Sequence, residues 1–267
     1  MARTEIITSA ANPVLKDVRR ALTRGALTAE GYAVAETFHL LEEALRSGCE
    51  APVVLAAESM EAAVDRLLRR RSEVRVMLVA DRIFNGLTST ESSQGVIALV
   101  RPPVWMPAQL FGKRSLVIVL DGLQDPGNAG TIVRAAEAFG STGVVFGKGS
   151  VSPFNSKTMR ASAGSLFRTP FVFGLDAAAL RVALAAGGVD VYATVPCGGE
   201  GSRSLTEVDL TRPCALIIGS EARGVSAELR GGALDLFIPT ERVESLNAAV
   251  ACGILLYEAW RQRSLPR

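Results

Sequence analysis

The sequence predicts an α/β protein in which a parallel-sheet domain follows a smaller α/β unit. Three observations carry that prediction. From Leu116 onward, short apolar runs alternate with helix-period segments, the pattern of a sheet with helices on both faces. The runs, such as Leu116-Val-Ile-Val-Leu120 and Leu216-Ile-Ile218, are uninterrupted, as strands buried on both faces are. Finally, Arg101-Pro-Pro-Val-Trp-Met-Pro107 sets three prolines in seven residues, which neither a helix interior nor a central strand accepts. This break divides the 267 residues into a unit at 1–104, a linker at 105–113 and a domain at 114–267, a comfortable length for two domains.

In the first unit, Asn12-Pro13 stops the opening segment, and Val14, Leu15, Val18 and Leu22 give Val14–Leu22 helical spacing. Tyr32–Ala35 reads as a strand and Phe38–Arg46 as an amphipathic helix that stops near Gly48. Val53–Leu55 is a strand, and Met60–Arg71 a helix whose terminal arginines suit the negative end of its dipole. Val76–Val79 and Gly95–Val100 complete the unit as strands.

In the second domain the predicted strands are Leu116–Leu120, Val144–Phe146, Phe171–Phe173, Val189–Thr194, Ala215–Ile218 and Leu236–Ile238. The predicted helices are Ala129–Phe139, Ser156–Leu166, Ala177–Ala186, a short one near Ser226–Arg230, and Leu246–Arg263. On the last, Leu246, Val250, Ile254, Tyr257 and Trp260 are spaced for burial, in a core or a subunit interface.

Composition narrows the function classes. A net charge of +2 permits nucleic-acid binding without arguing for it. Lysine occurs only at 16, 113, 148 and 157, so the basic residues are mostly arginine, which suits bidentate phosphate contacts or merely a GC-rich genome. Cys49, Cys197, Cys214 and Cys252 form no metal-ligand spacing and are expected to be buried thiols of a reducing cytosol. The N-terminus lacks an apolar signal core, and no apolar run reaches the ~18 residues of a membrane span. A soluble, cytoplasmic protein without a metal is expected.

Three segments carry the chemistry, each where a strand gives way to a turn or helix, and ligands bind at such ends of open α/β sheets. The first is Asp125-Pro-Gly-Asn-Ala-Gly-Thr-Ile-Val-Arg134. Asn128 is well placed to cap the helix. Arg134, between Val133 and Ala135 on an apolar helix, either pairs with a carboxylate or meets a phosphate. The second is Ile217-Ile-Gly-Ser-Glu-Ala-Arg-Gly224, where Gly219 and Gly224 allow close backbone approach beside Glu221. The third runs from Ile238-Pro239 to Ser245-Leu-Asn247, whose polar residues serve a ligand or cap a helix. No GxGxxG follows the first strand, Gly147-Lys-Gly149 lacks a third glycine, and there is no GxxxxGK[ST]. Nicotinamide binding and nucleotide hydrolysis are therefore poorly supported. The single histidine, His39, stands apart from all three segments.

The stretches DPGNAGTIVRAAEAFG, LIIGSEARGVS and IPTERVESLNAAVACGILLYE, in this order, resemble the three motifs of SpoU/TrmH RNA ribose 2′-O-methyltransferases of the SPOUT superfamily. The first hundred residues, from Ser9-Ala-Ala-Asn-Pro-Val-Leu-Lys16, resemble the ribosomal-protein-like substrate-binding domain of many members. Members usually carry Glu-Gly after its first strand, whereas here Glu36 is followed by Thr37. The resemblance implies a parallel-sheet SPOUT domain with a C-terminal trefoil knot, S-adenosylmethionine as cofactor, and a homodimer whose active sites draw on both subunits. It implies Gly219, Ile238 and Leu246 as cofactor-binding positions, with Thr194 a candidate for the same cleft. Asn128, Arg134, Glu221, Ser245 and Asn247 match the catalytic set. RNA contact is expected from Lys148, Lys157, Arg160, Arg168 and Arg223. The stretch Ser152–Gly164 is most like members acting on ribosomal RNA, which favours 23S rRNA as substrate. The alternatives are a tRNA methyltransferase and an inactive RNA-binding assembly factor.

Overall fold

The computed structural model describes residues 3–88 and 93–264. In chain order its elements are β1 (Arg3–Ile7), α1 (Pro13–Arg24), β2 (Ala33–Glu36), α2 (Phe38–Arg46), β3 (Val53–Ala57), α3 (Glu61–Leu68), β4 (Arg75–Val79), α4 (Asp81–Asn85) and β5 (Val96–Val100). Then come β6 (Leu116–Asp121), α5 (Pro126–Ala138), β7 (Gly143–Gly147), α6 (Ser156–Ala161), β8 (Phe171–Leu175), α7 (Ala177–Gly187) and β9 (Asp190–Thr194). Last are β10 (Arg203–Ser204), β11 (Cys214–Gly219), α8 (Ala227–Arg230), β12 (Leu234–Phe237) and α9 (Ala248–Ser264). They form two compact units: residues up to Pro103 with Phe154–Phe167, and Val104–Pro153 with Arg168 onward.

The first unit holds a five-stranded sheet in the order β1-β4-β3-β5-β2. β1, β4 and β3 run parallel, and β5 is antiparallel to both neighbours. Asn12 caps α1, Pro13 opens it, and Gly25 closes it in the left-handed conformation. The helix buries Leu15, Val18 and Ala21 against Val34, Leu55, Met77 and Ile97. At the end of β2, Glu36 is 4% exposed. Burying a carboxylate is costly unless it is paired, and Arg160 of α6 donates to Glu36 at 2.6 Å.

That pair ties Phe154–Phe167 to the first unit, although the sequence assigns this stretch to the second domain. The helix expected over Ser156–Leu166 stops at Ala161. Ala163 and Gly164 turn to φ 50° and 90°, and a Cβ at 164 would lie 2.6 Å from that of Glu43. At Thr37, the departure from Glu-Gly, the backbone still takes φ 147°, a conformation that strains any side chain. Its hydroxyl accepts from the Leu40 N–H at 3.1 Å and caps α2.

The second unit holds seven parallel strands in the order β10-β12-β9-β11-β6-β7-β8. β6 and β11, at its middle, are buried except at their last residues. The stretch 105–113, expected as a linker, contributes the fully buried Leu110 to this core, with Trp105 and Phe111 packed against it. Apolar side chains this close to a sheet face lower the free energy by being covered.

Several boundaries differ from expectation. β1, α4 and the two-residue β10 carry too few apolar residues to announce themselves. The helix expected at Met60–Arg71 covers only Glu61–Leu68. β12 ends at Phe237, so Ile238 and Pro239 already belong to the loop, and α9 begins at Ala248 rather than Leu246. Among the cysteines, Cys214 and Cys252 are buried, but Cys197 is exposed and Cys49 half-buried. Burial pushes the Cys214 thiol up to about 11, against a smaller lowering by Arg263. No helix among the described residues is long and apolar enough to cross a membrane.

Candidate active site

The carboxyl ends of β9, β11 and β12 and the start of α9 enclose a cleft of about 360 Å³. It is lined by Thr194, Gly219, Glu221, Ile238, Ser245, Leu246 and Asn247, seven of the nine positions singled out from the sequence. Ile218, Leu236, Ala251 and Leu255 supply an apolar wall, while Ser220, Thr240, Ser245 and Asn247 supply polar groups. Ligand pockets for nucleosides and cofactors combine such walls with a few convergent polar atoms.

Gly219 makes this shape possible. The Ser220 N–H donates to the Gly224 carbonyl at 3.1 Å, and the Gly224 N–H returns to the Ser220 carbonyl at 2.8 Å. The loop thereby folds back over the end of β11. A Cβ at position 219 would sit 2.1 Å from the Gly224 carbonyl carbon, so any side chain would force the loop open. Val225 and Ser226 follow, and the Ser226 N–H donates to Asp121 at 2.6 Å, which fastens the loop to β6. Thr194 faces the cleft, but its hydroxyl donates to the Ile217 carbonyl at 2.9 Å. It holds β9 to β11 and offers the cleft only its lone pairs.

Asn128 joins the cleft from the side. It does not cap α5, as expected from the sequence. Asp125 is the cap, accepting the Asn128 N–H at 2.6 Å, and Pro126 opens the helix. The Asn128 side chain is left to bridge. Asn247 Oδ1 accepts the N–H groups of Ala249 at 2.9 Å and Val250 at 3.2 Å, capping α9. Its Nδ2 must therefore donate, and does so to Asn128 Oδ1 at 3.0 Å. Asn128 Nδ2 must in turn donate, and meets Glu221 Oε1 at 2.7 Å. Backbone donors at one end thus set every amide in the chain through to the carboxylate. One residue from each motif, 119 positions apart at the widest, ends in one network.

Ser245 lies exposed at the cleft rim. Arg134 does not line the cleft. It is exposed on α5 and, among the described residues, pairs with no carboxylate. The core ion pair that its apolar setting allowed is not formed. Of the cations expected to face RNA, Arg160 is engaged with Glu36, and Arg168 is held by Glu137 at 2.5 and 3.1 Å. Lys148, Lys157 and Arg223 are exposed.

The apolar face of α9 divides in a way that the spacing alone did not show. Cys252, Leu255, Leu256 and Ala259 are buried. Val250, Ile254, Tyr257 and Trp260 are 52%, 38%, 50% and 44% exposed. Tyr257 and Trp260 stack with each other and with Phe139 of α5, at centroid distances of 5.8 to 6.3 Å. They form an apolar seam that this chain leaves uncovered.

Residues 115–257 match the SpoU rRNA Methylase family model, and residues 12–98 match the MRM3-like substrate binding domain. The chain belongs to the SpoU rRNA methylase family. Relatives of this SpoU chain include the 23S rRNA (guanosine(2553)-2'-O)-methyltransferase RlmP of Bacillus subtilis, 33% identical over 94% of this chain and 97% of the relative. The 23S rRNA (guanosine-2'-O-)-methyltransferase RlmB of Xanthomonas axonopodis is 35% identical over 73% of this chain and 80% of the relative. Among solved structures, the AdoMet-bound rRNA methyltransferase of Sinorhizobium meliloti superposes with a TM-score of 0.82 at 29% identity, over 98% of this chain and 99% of that one. The AdoMet complex of the SpoU methyltransferase AviRb of Streptomyces viridochromogenes has a TM-score of 0.82 at 26% identity, over 96% and 100% of the two chains. For this SpoU-family cleft, apolar walls with polar groups at the rim suit S-adenosylmethionine, which has an adenine to cover and an amino acid and ribose to hydrogen-bond.

Proposed function

We propose that this protein is an S-adenosylmethionine-dependent RNA ribose 2′-O-methyltransferase acting on 23S rRNA in the cytoplasm. The observation that carries the reading is the convergence of all three motifs on one cleft, through the Asn247–Asn128–Glu221 network. Gly219, Ile238 and Leu246 hold the cofactor, largely through backbone groups, and Thr194 completes the wall. When bound, the cofactor supplies an electrophilic methyl group on a sulfonium.

Because methyl transfer would discharge the sulfonium, the residues of the cleft would contribute alignment and exclusion of water rather than a strong negative charge. The apolar wall of Leu236, Ala251 and Leu255 would help to exclude water from the cleft. Arg134 grips the substrate phosphate; as a guanidinium that stays protonated, it positions the ribose rather than removing the hydroxyl proton. Ser245 at the rim and the amide of Asn247 polarise the hydroxyl, whose proton is released to solvent at the exposed rim, and the network holds Asn247 in place.

The first unit serves as the RNA substrate-binding domain, the C-terminal segment is threaded as a trefoil knot, and the active molecule is a homodimer. The uncovered seam of Val250, Ile254, Tyr257 and Trp260 supports a dimer, since exposed apolar patches of this kind mark interfaces. Trp260→Glu should convert the dimer to monomer in light scattering, and a monomeric wild type would remove that part of the reading.

The test of the whole is mass-spectrometric mapping of ribose methylation in rRNA and tRNA from cells with and without the protein. Loss of one 2′-O-methyl from 23S rRNA is the expected result. Loss from tRNA instead would replace the substrate, and no loss anywhere would leave an RNA-binding assembly factor.

A further inference from the structure

The net charge of this protein is concentrated on one helix. α1 carries Lys16, Arg19, Arg20 and Arg24 against the single acid Asp17, a net of +3, while the whole chain nets only +2. Everything outside α1 therefore nets −1. The four cations are not scattered around the helix. Lys16, Arg19, Arg20, Thr23 and Arg24 fall at the spacing of one face, are exposed, and line a shallow depression of about 290 Å³. Leu15, Val18 and Ala21 occupy the opposite, buried face.

Local neutralisation is slight. Asp17 pairs with Arg20, and its other oxygen accepts the Ala29 N–H at 2.9 Å, so the one acid is already committed to the loop behind the helix. Among the described residues, Lys16, Arg19 and Arg24 have no carboxylate partner. The other basic run of this unit, Arg66 with Arg69, Arg70 and Arg71 at the end of α3, is different. Glu58, Glu61, Asp65 and Glu73 flank it and match it in number, and Arg71 faces Glu73. The C-terminal end of α1 also abuts the chain that enters α6: a Cβ on Gly25 would lie 3.3 Å from Asn155, two residues before the exposed Lys157.

We propose that the exposed face of α1, formed by Lys16, Arg19, Arg20 and Arg24, is a phosphate-tracking surface that engages the backbone of the RNA substrate. The proposal rests on the RNA reading given above and adds the place of contact. Arginine forks match phosphate oxygens two at a time. Such contacts set register and affinity without reading bases.

Binding of the full chain to a 23S rRNA transcript, followed by fluorescence anisotropy across a sodium chloride series, tests the assignment. In the Lys16→Ala/Arg19→Ala/Arg24→Ala variant, the slope of log affinity against log salt should shrink by about 2 to 3, at close to one unit per phosphate contact. Affinity near physiological salt should fall at least about tenfold. Calorimetric affinity for S-adenosylmethionine and helix content by circular dichroism should be unchanged. The Lys16→Gln/Arg19→Gln/Arg24→Gln variant should behave alike, while Arg66→Ala/Arg69→Ala/Arg70→Ala should keep the wild-type slope. An unchanged slope in both α1 variants overturns the proposal, as does an equal loss in the α3 variant. So does an α1-dependent attachment to phosphatidylserine vesicles with RNA binding intact. Methyl transfer by the wild type, followed with tritiated cofactor, separates the two readings. If no RNA is methylated yet the slope still shrinks, the enzymatic reading fails and the α1 surface stands.

Discussion

Two arginines of the second unit have surroundings that differ completely. At the amino edge, Arg263 near the end of α9 donates from Nε to the Leu210 carbonyl and from Nη1 to that of Arg114, both at 2.8 Å. Its Nη2 reaches Ser115 at 2.9 Å and Arg212 at 2.8 Å. Gln262 beside it pairs with the backbone of Val208 and Leu210. Arg134, on α5, has no ion-pair partner among the described residues. A guanidinium whose donors are spent on carbonyls is a fastening, and one with its donors open is available to a ligand.

α9 links the two situations. Its 17 residues rise about 25 Å, from the Asn247 cap beside the cleft to the Arg263 clasp. Pinned at both ends, it keeps one face on the cleft and another toward solvent.

Arg134→Ala should lower turnover about a hundredfold, the scale of misplacing a reacting group, with cofactor affinity within twofold by calorimetry. Full activity would make Arg134 a solvated surface charge. Arg263→Ala should act the other way, costing about 3 kcal/mol or more in urea unfolding, since hydrogen bonds to a charged group contribute about 1.5–3 kcal/mol each. Arg263→Lys should recover part of this, because an ammonium cannot span the same carbonyls. Activity per folded molecule in Arg263→Ala should fall much less than in Arg134→Ala.

A smaller effect is expected at Gly219→Ala, where the loop over β11 must open. Cofactor affinity should drop at least about tenfold, while RNA binding by the first unit is kept. Equal loss of both in a folded variant would argue against a dedicated cofactor cleft.

The smallest effect concerns the amino edge alone. Burial raises the Cys214 thiol to about 11, so the folded protein retains a proton that the unfolded chain releases earlier. Stability from this group is full below the ordinary thiol range and is lost as pH rises through that range toward about 11. Cys214→Ala should flatten the alkaline part of the stability profile, measured by urea unfolding at successive pH values. Unchanged slopes would mean that the thiol is solvated.

Much of this architecture was legible in the chain itself, where the signal is local. Asn12-Pro13 breaks the chain where α1 begins, and the uninterrupted apolar runs at 116–120 and 216–218 are buried strands, as expected. The second and third motifs border the cleft that follows the ends of β11 and β12. What stayed hidden depends on partners far away in sequence. Arg160 meets Glu36 across 124 positions, and this bond turns an expected RNA contact into a fastening. Asp125, not Asn128, caps α5, and that choice leaves Asn128 able to join Glu221 and Asn247. Spacing marked one apolar stripe on α9, but packing left Val250, Ile254, Tyr257 and Trp260 of that stripe exposed and buried Cys252, Leu255, Leu256 and Ala259 instead. Helix caps and strand runs are settled by neighbouring torsions, whereas the pairing state of a charge is settled by whichever distant group the fold brings within hydrogen-bond range.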